Sequence, residues 1–185
     1  MNEIIEESLF FNVEHQKNMS VNAKYSLTTD SISTIAVTLK GLTEEDEEMV
    51  LGSMTILCIP KPLIVDPFVM QRYSKELSNI ACEVRKDNDT EENYFVLEKI
   101  LVQNDFRCCG YGTIMMENIN RIITELKLSD TPTIVLVASA FERAEKQDYN
   151  RKTKELCKFY EKMGFTCLNE KTRVYIKKKT KGCYT

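Results

Sequence analysis

Apolar and polar positions alternate through much of the first sixty residues. "SLFFNVEH" (residues 8–15), "NAKYSLTT" (22–29), "SISTIAVTLKGL" (31–42) and "MVLGSMTILCI" (49–59) read as four strands, the third the clearest and rich in β-branched residues. The acidic "TEEDEE" between the last two reads as a solvated turn, and Pro60 and Pro62 end the fourth strand. The period then changes. Asp66-Pro67 offers an N-cap followed by proline at the first helical position. Val69, Tyr73, Leu77, Ile80 and Val84 fall on one stripe, predicting a single helix over 67–86.

Beyond a polar loop, "YFVLEKILV" (94–102) is apolar enough to lie inside a sheet. Ile114, Met115, Ile119, Ile122, Ile123 and Leu126 mark an amphipathic helix, and "TIVLVAS" (133–139) a short buried strand. Leu156, Phe159, Tyr160 and Met163 lie on a last helix, with Gly164 as its C′ residue. "FTCLN" and "TRVYIKK" form a closing antiparallel pair, before a basic tail. Strand, glycine turn, helix, strand, helix, two strands is an α/β order.

Composition adds exclusions. The 185 residues are 43% apolar and 29% charged, enough for one domain with a full core. A net charge of −3 lacks the basic footprint of a general nucleic-acid binder. The acidic start "MNEIIEESLFF" is no signal peptide, and no apolar run reaches bilayer length, so a cytoplasmic protein is expected, with no membrane partner. Seven cysteines show no C-x-x-C spacing, and His15 is the only histidine, so no metal is expected. Reduced, packing cysteines are the expectation.

The chemistry-bearing stretch is "QNDFRCCGYGTIMMENI" (103–119). A glycine turn between a central strand and a helix leaves the first helical N–H groups pointing outward, a ready anion site. Gly110 and Gly112 let a ligand approach the backbone, and Arg107 adds a permanent charge. The dinucleotide fingerprint fails, because Met115 stands where its third glycine would be, and the Gly-Lys-Ser/Thr of a P-loop is missing. From these residues alone the loop is either structural or a phosphate binder.

A second motif follows, "LCKFYEKMGF" (156–165). Taken together, residues 94–178 resemble the GNAT superfamily of acyl-CoA-dependent N-acyltransferases. Arg107, Gly110 and Gly112 match its Q/R-x-x-G-x-G/A loop, and Phe159, Tyr160, Gly164 and Phe165 its later aromatic and glycine signature. The resemblance implies a mixed, mostly antiparallel central sheet, flanked by helices and splayed between the family's fourth and fifth strands, here 94–103 and 133–139. It implies one domain over 1–178, with 1–92 a divergent acceptor-side half, 93–178 the acyl-CoA-binding core and 179–185 a flexible tail.

The resemblance also assigns roles. Backbone groups of Leu101, Val102 and Gln103 would pair with the pantetheine arm of acetyl-CoA. Arg107, Cys108, Cys109, Gly110, Tyr111, Gly112 and Thr113 would hold its pyrophosphate, the cysteines through their N–H groups. Tyr160 would protonate the departing thiolate, since a phenol of pKa about 10 is protonated at neutral pH. The family's strand glutamate falls at Val96, so Glu98, two residues on, or a water chain is the expected base. The family's CoA-contacting asparagine position is Thr153, with Asn150 one turn earlier.

The expected activity is direct acetyl transfer to a small amine or peptide amine, in a ternary complex. Dimers are common in the family, so a homodimer is compatible. Two rivals stand beside it: a non-catalytic acyl-CoA-binding or regulatory module, motivated by Val96, and a nucleotide-binding protein. The acidic turn at 44–48 is read as a solvated loop rather than a docking site for a cationic amine.

Overall fold

The computed structural model describes residues 6–16, 18–27, 31–86, 92–139 and 146–178; the expected tail and Cys183 lie outside them. Eight strands with helices give a mixed, mostly antiparallel α/β fold. The chain divides into two compact units, Met1–Ile59 with Phe95–Pro132, and Pro60–Tyr94 with Thr133–Thr185.

The first unit is built on β1 (Glu6–Asn12), β2 (Met19–Leu27), β3 (Ser33–Leu42), β4 (Glu48–Pro60) and β5 (Asn93–Val102), adjacent in that order. The first four pair antiparallel. Alternation in the sequence becomes a one-sided sheet. Val21, Ala23, Ile35, Val37, Leu39, Met54 and Ile56 are buried, while Asn22, Lys24 and Ala36 between them are exposed. α4 (Tyr111–Glu125) buries Met115, Met116, Ile119, Ile122 and Ile123. Its Arg121 guanidinium lies 4.0 Å above the Phe11 ring, tying the helix to the edge strand.

The β3/β4 ladder carries one irregularity. Leu39 faces Gly52 and Lys40 faces Val50, so Leu51 is an extra residue and both Leu51 and Gly52 are buried. The Leu51 carbonyl accepts the Gln103 N–H at 3.0 Å.

In the second unit the expected single helix over 67–86 is three short ones: α1 (Lys61–Ile64), α2 (Pro67–Gln71) and α3 (Lys75–Val84). Asp66 caps α2 as expected, its Oδ1 accepting from the N–H groups of Phe68 (2.9 Å) and Val69 (3.2 Å). The break follows from a second cap. Ser74 is extended, and its Oγ accepts the Leu77 N–H at 3.0 Å, starting a new helix. Tyr73, placed on the apolar stripe by periodicity, is therefore exposed, whereas Leu77, Ile80 and Val84 are buried as expected.

α3 packs against β6 (Thr133–Val137) and β8 (Val174–Lys178), and Asn169 Nδ2 of β7 (Thr166–Asn169) donates to Glu83 Oε1 at 2.8 Å. β8 lies between β6 and β7, antiparallel to both. α5 spans Lys146–Lys162. Among the described residues no helix is long and apolar enough to cross a membrane.

Candidate functional site

β5 is buried on both sides from Tyr94 to Leu97 and opens from Glu98 onward. Glu98 is exposed, whereas Val96, two residues earlier on the same face, is 2% exposed. Leu101 and Val102 are half-buried and Gln103 is exposed, so the strand runs outward toward the loop. A short 3-10 turn (Asn104–Phe106) follows, and the Phe106 ring meets Tyr111 edge-on at 6.1 Å, fixing the loop to the first turn of α4.

The loop reverses through two left-handed residues, Cys108 at φ 64° and Gly110 at φ 86°. Left-handed backbone suits glycine, and at Gly110 it makes the N-cap of α4. No side chain caps this helix start, so its first N–H groups have no capping acceptor from a side chain. A Cβ built on Gly110 meets nothing within 4 Å. The glycine thus answers to the turn and to open space in front of it, not to crowding within the protein. Arg107, Cys108 and Cys109 are all exposed, and Cys109 Sγ lies 3.6 Å from the Arg107 carbonyl oxygen. An uncapped helix start of 15 residues facing open space fits a diphosphate.

In the second unit, Gly164 is left-handed at φ 86°, as its C′ assignment requires. The Gly164 N–H donates to the Glu161 carbonyl and the Phe165 N–H to the Tyr160 carbonyl, both at 3.0 Å. This pair of bonds is a Schellman cap, and Lys177 Nζ adds a 2.8 Å bond to the Met163 carbonyl. The spacing Tyr-x-x-x-Gly-Phe therefore has a mechanical meaning. It brings Phe165 back beside Tyr160, ring centroids 5.9 Å apart, with Phe159 and Tyr175 at 5.4 and 6.5 Å from Tyr160.

Tyr160 is 6% exposed, and burial, with a smaller contribution from Cys157, pushes its phenol up to about 12. Asn150 is exposed and Thr153 buried, one turn apart on α5. Both line an open groove of about 510 Å³ with Cys157, Glu161, Cys167 and Tyr175, and the Tyr175 hydroxyl donates to Glu161 Oε1 at 3.2 Å. Tyr160 does not line that groove.

Each unit thus gathers part of the expected set: Glu98, Leu101–Gln103 and Arg107–Thr113 in one, Asn150, Thr153 and Tyr160 in the other. Sequence reasoning missed Leu51 and Gly52, which meet the end of β5; an isolated glycine inside a strand pattern is the signal that marks them. Among the described residues no group of three His, Cys, Asp or Glu side chains is disposed to hold a metal ion.

No family model matches the chain, and no curated protein does. Among solved structures, a tyrosine-to-phenylalanine mutant of KacT is 12% identical, over 79% of this chain and 71% of that one, with a TM-score of 0.48. AtaT complexed with acetyl-methionyl-tRNAfMet is 13% identical, over 78% and 70%, at 0.43. AtaTR bound with AcCoA is 14% identical, over 79% and 68%, at 0.43. At 12–14% identity and TM-scores below 0.5, these three are distant likenesses of fold.

Proposed function

We propose that the protein is an acetyl-CoA-dependent N-acetyltransferase acting on a primary amine by direct attack. The observation that carries this reading is the loop 107–113. It is a left-handed glycine opening an uncapped helix, at the end of a strand and inside an R-x-x-G-x-G sequence. Backbone N–H groups of 107–113 hold the pyrophosphate, and the backbone of 101–103 takes the pantetheine arm as an added strand, chiefly at Val102, since the Gln103 N–H is already given to the Leu51 carbonyl.

The amine nitrogen attacks the thioester carbonyl, and a backbone N–H near Val102 receives the developing oxyanion. The carbon–sulfur bond then breaks, and the thiolate takes the Tyr160 proton. With its pKa raised to about 12, Tyr160 stays protonated across the neutral range; the proton it lends the sulfur is held against that raised pKa, so the phenolate regains a proton from solvent as CoA leaves as the thiol. Glu98, exposed on β5, or water accepts the proton of the amine.

The test is CoA release measured over a panel of polyamines, aminoglycosides, amino acids and peptide N-termini. Amine-dependent release is expected for at least one class. The buried Val96 supports a second reading, a non-catalytic acyl-CoA module, and tight CoA binding without release from any acceptor would establish it. Tighter binding of ATP or NAD than of CoA would overturn both.

A further inference from the structure

We infer that Gly52 is a positioning residue that sets where the cofactor-binding end of β5 and the start of α4 lie. The inference rests on the acyl-CoA reading for its functional consequence.

Gly52 is buried in β4, directly beside the extra residue Leu51. A Cβ at position 52 would stand 2.8 Å from the Leu101 carbonyl oxygen, 2.8 Å from Met115 Cε and 3.3 Å from Met115 Sδ. The methionine end can swing away. The Leu101 oxygen is backbone and moves only with its strand. The residue before Gly52 holds the same strand end, since the Leu51 carbonyl accepts the Gln103 N–H at 3.0 Å.

Two consecutive β4 residues therefore fix residues 101–103 from one side, and Gly52 also admits Met115 of the first turns of α4. A glycine inside a strand weakens it, and such glycines mark bulges and close backbone approaches. Here both occur together, behind the segment assigned to pantetheine and the helix assigned to pyrophosphate. Gly41 supplies the contrast. The three atoms nearest a Cβ there all belong to the Leu51 side chain, at 3.0 to 3.5 Å.

The experiment compares Gly52→Ala with Gly41→Ala by CoA calorimetry, steady-state kinetics and amide hydrogen exchange. Gly52→Ala is expected to weaken CoA about tenfold and raise the KM for acetyl-CoA, with kcat at saturation largely retained. Exchange should quicken at 101–103 and 111–115 and stay slow in β2. Gly41→Ala, which crowds the Leu51 side chain at 3.0 Å, should change each of them less than Gly52→Ala does, and an equal loss of CoA affinity in both would overturn the inference. Wild-type CoA affinity in Gly52→Ala, or faster exchange spread evenly over the unit, would overturn the inference.

Adding Met115→Leu removes the methyl group at 2.8 Å, which keeps a foldable variant in hand. Weak CoA binding should persist in the double variant, because the Leu101 oxygen is still displaced. Full recovery would assign the effect to methionine packing and overturn the inference. A wild-type protein that binds no CoA would instead remove the acyl-CoA reading, while the exchange pattern still decides the placement of 101–103.

Discussion

Two glycines with the same left-handed φ of 86° stand at opposite kinds of helix end. Gly164 closes α5. The Glu161 and Tyr160 carbonyls are taken by the cap, the Met163 carbonyl by Lys177, and Phe165 packs on Tyr160. Gly110 opens α4 and closes nothing; no side chain caps the helix, and beyond its immediate chain neighbours nothing stands within 4 Å of where a Cβ would be. The same left-handed φ thus completes a cap in one unit and, in the other, opens a helix that no side chain caps.

The sharpest way to break this contrast is a bulky residue at each position. Gly110→Val should lower CoA affinity by about 100-fold or more, beyond the roughly 1–2 kcal/mol of backbone strain seen in denaturant melts. Calorimetry that finds CoA binding intact would make Gly110 as purely structural as Gly164. Next in size is Tyr160→Phe, for which kcat should fall about 100-fold in single-turnover and steady-state assays while CoA affinity holds. Full activity would remove the hydroxyl from the chemistry and leave Tyr160 as packing for the cap. Gly164→Ala should cost about 1 kcal/mol of stability, since a Cβ there meets Lys177 Cε at an unstrained 3.7 Å, and should leave CoA affinity alone.

A smaller effect separates the units by pH. Burial raises Cys58 from 9.0 to about 11, and Tyr160 from 10.0 to about 12. Both folded values exceed the unfolded ones, so stability is full below pH 9 and declines as pH rises through 9 to 12. Burial raises Tyr175 as well, so Tyr160→Phe should lessen the decline above pH 10 without removing it, measured by urea unfolding at fixed pH. The smallest effect belongs to the exposed thiols. Cys108→Ala and Cys109→Ala should bind CoA as the wild type does, because only their N–H groups are used.

Local signals in the sequence carried far. Asp66-Pro67, Gly164 and the strand alternation each have one physical cause acting over a few residues, and each is found where the pattern puts it. The helix stripe from Val69 to Val84 misled because periodicity cannot see a break when Tyr73 happens to fall in phase; Ser74, a good N-cap, was the clue. At Glu98 the period-two rule puts the residue on the face of Val96 but says nothing of its environment, since β5 passes from covered to open between Leu97 and Glu98. The sequence marks Gly52 as a glycine inside a strand pattern but does not show what it meets. Its meaning lies in a carbonyl and a methionine some fifty and sixty residues away, brought close only by β4, β5 and α4 together.

The interleaving of the two units bears on how the chain is made. β1 to β4 can pair as successive hairpins while the ribosome is still adding residues. Neither β5 nor α4 can join them until the whole of 60–94 has emerged, and that stretch in turn waits for Thr133 onward. A nascent chain stopped near residue 92 would therefore hold two half-built units, and a protein split there should regain function only when both fragments are present together.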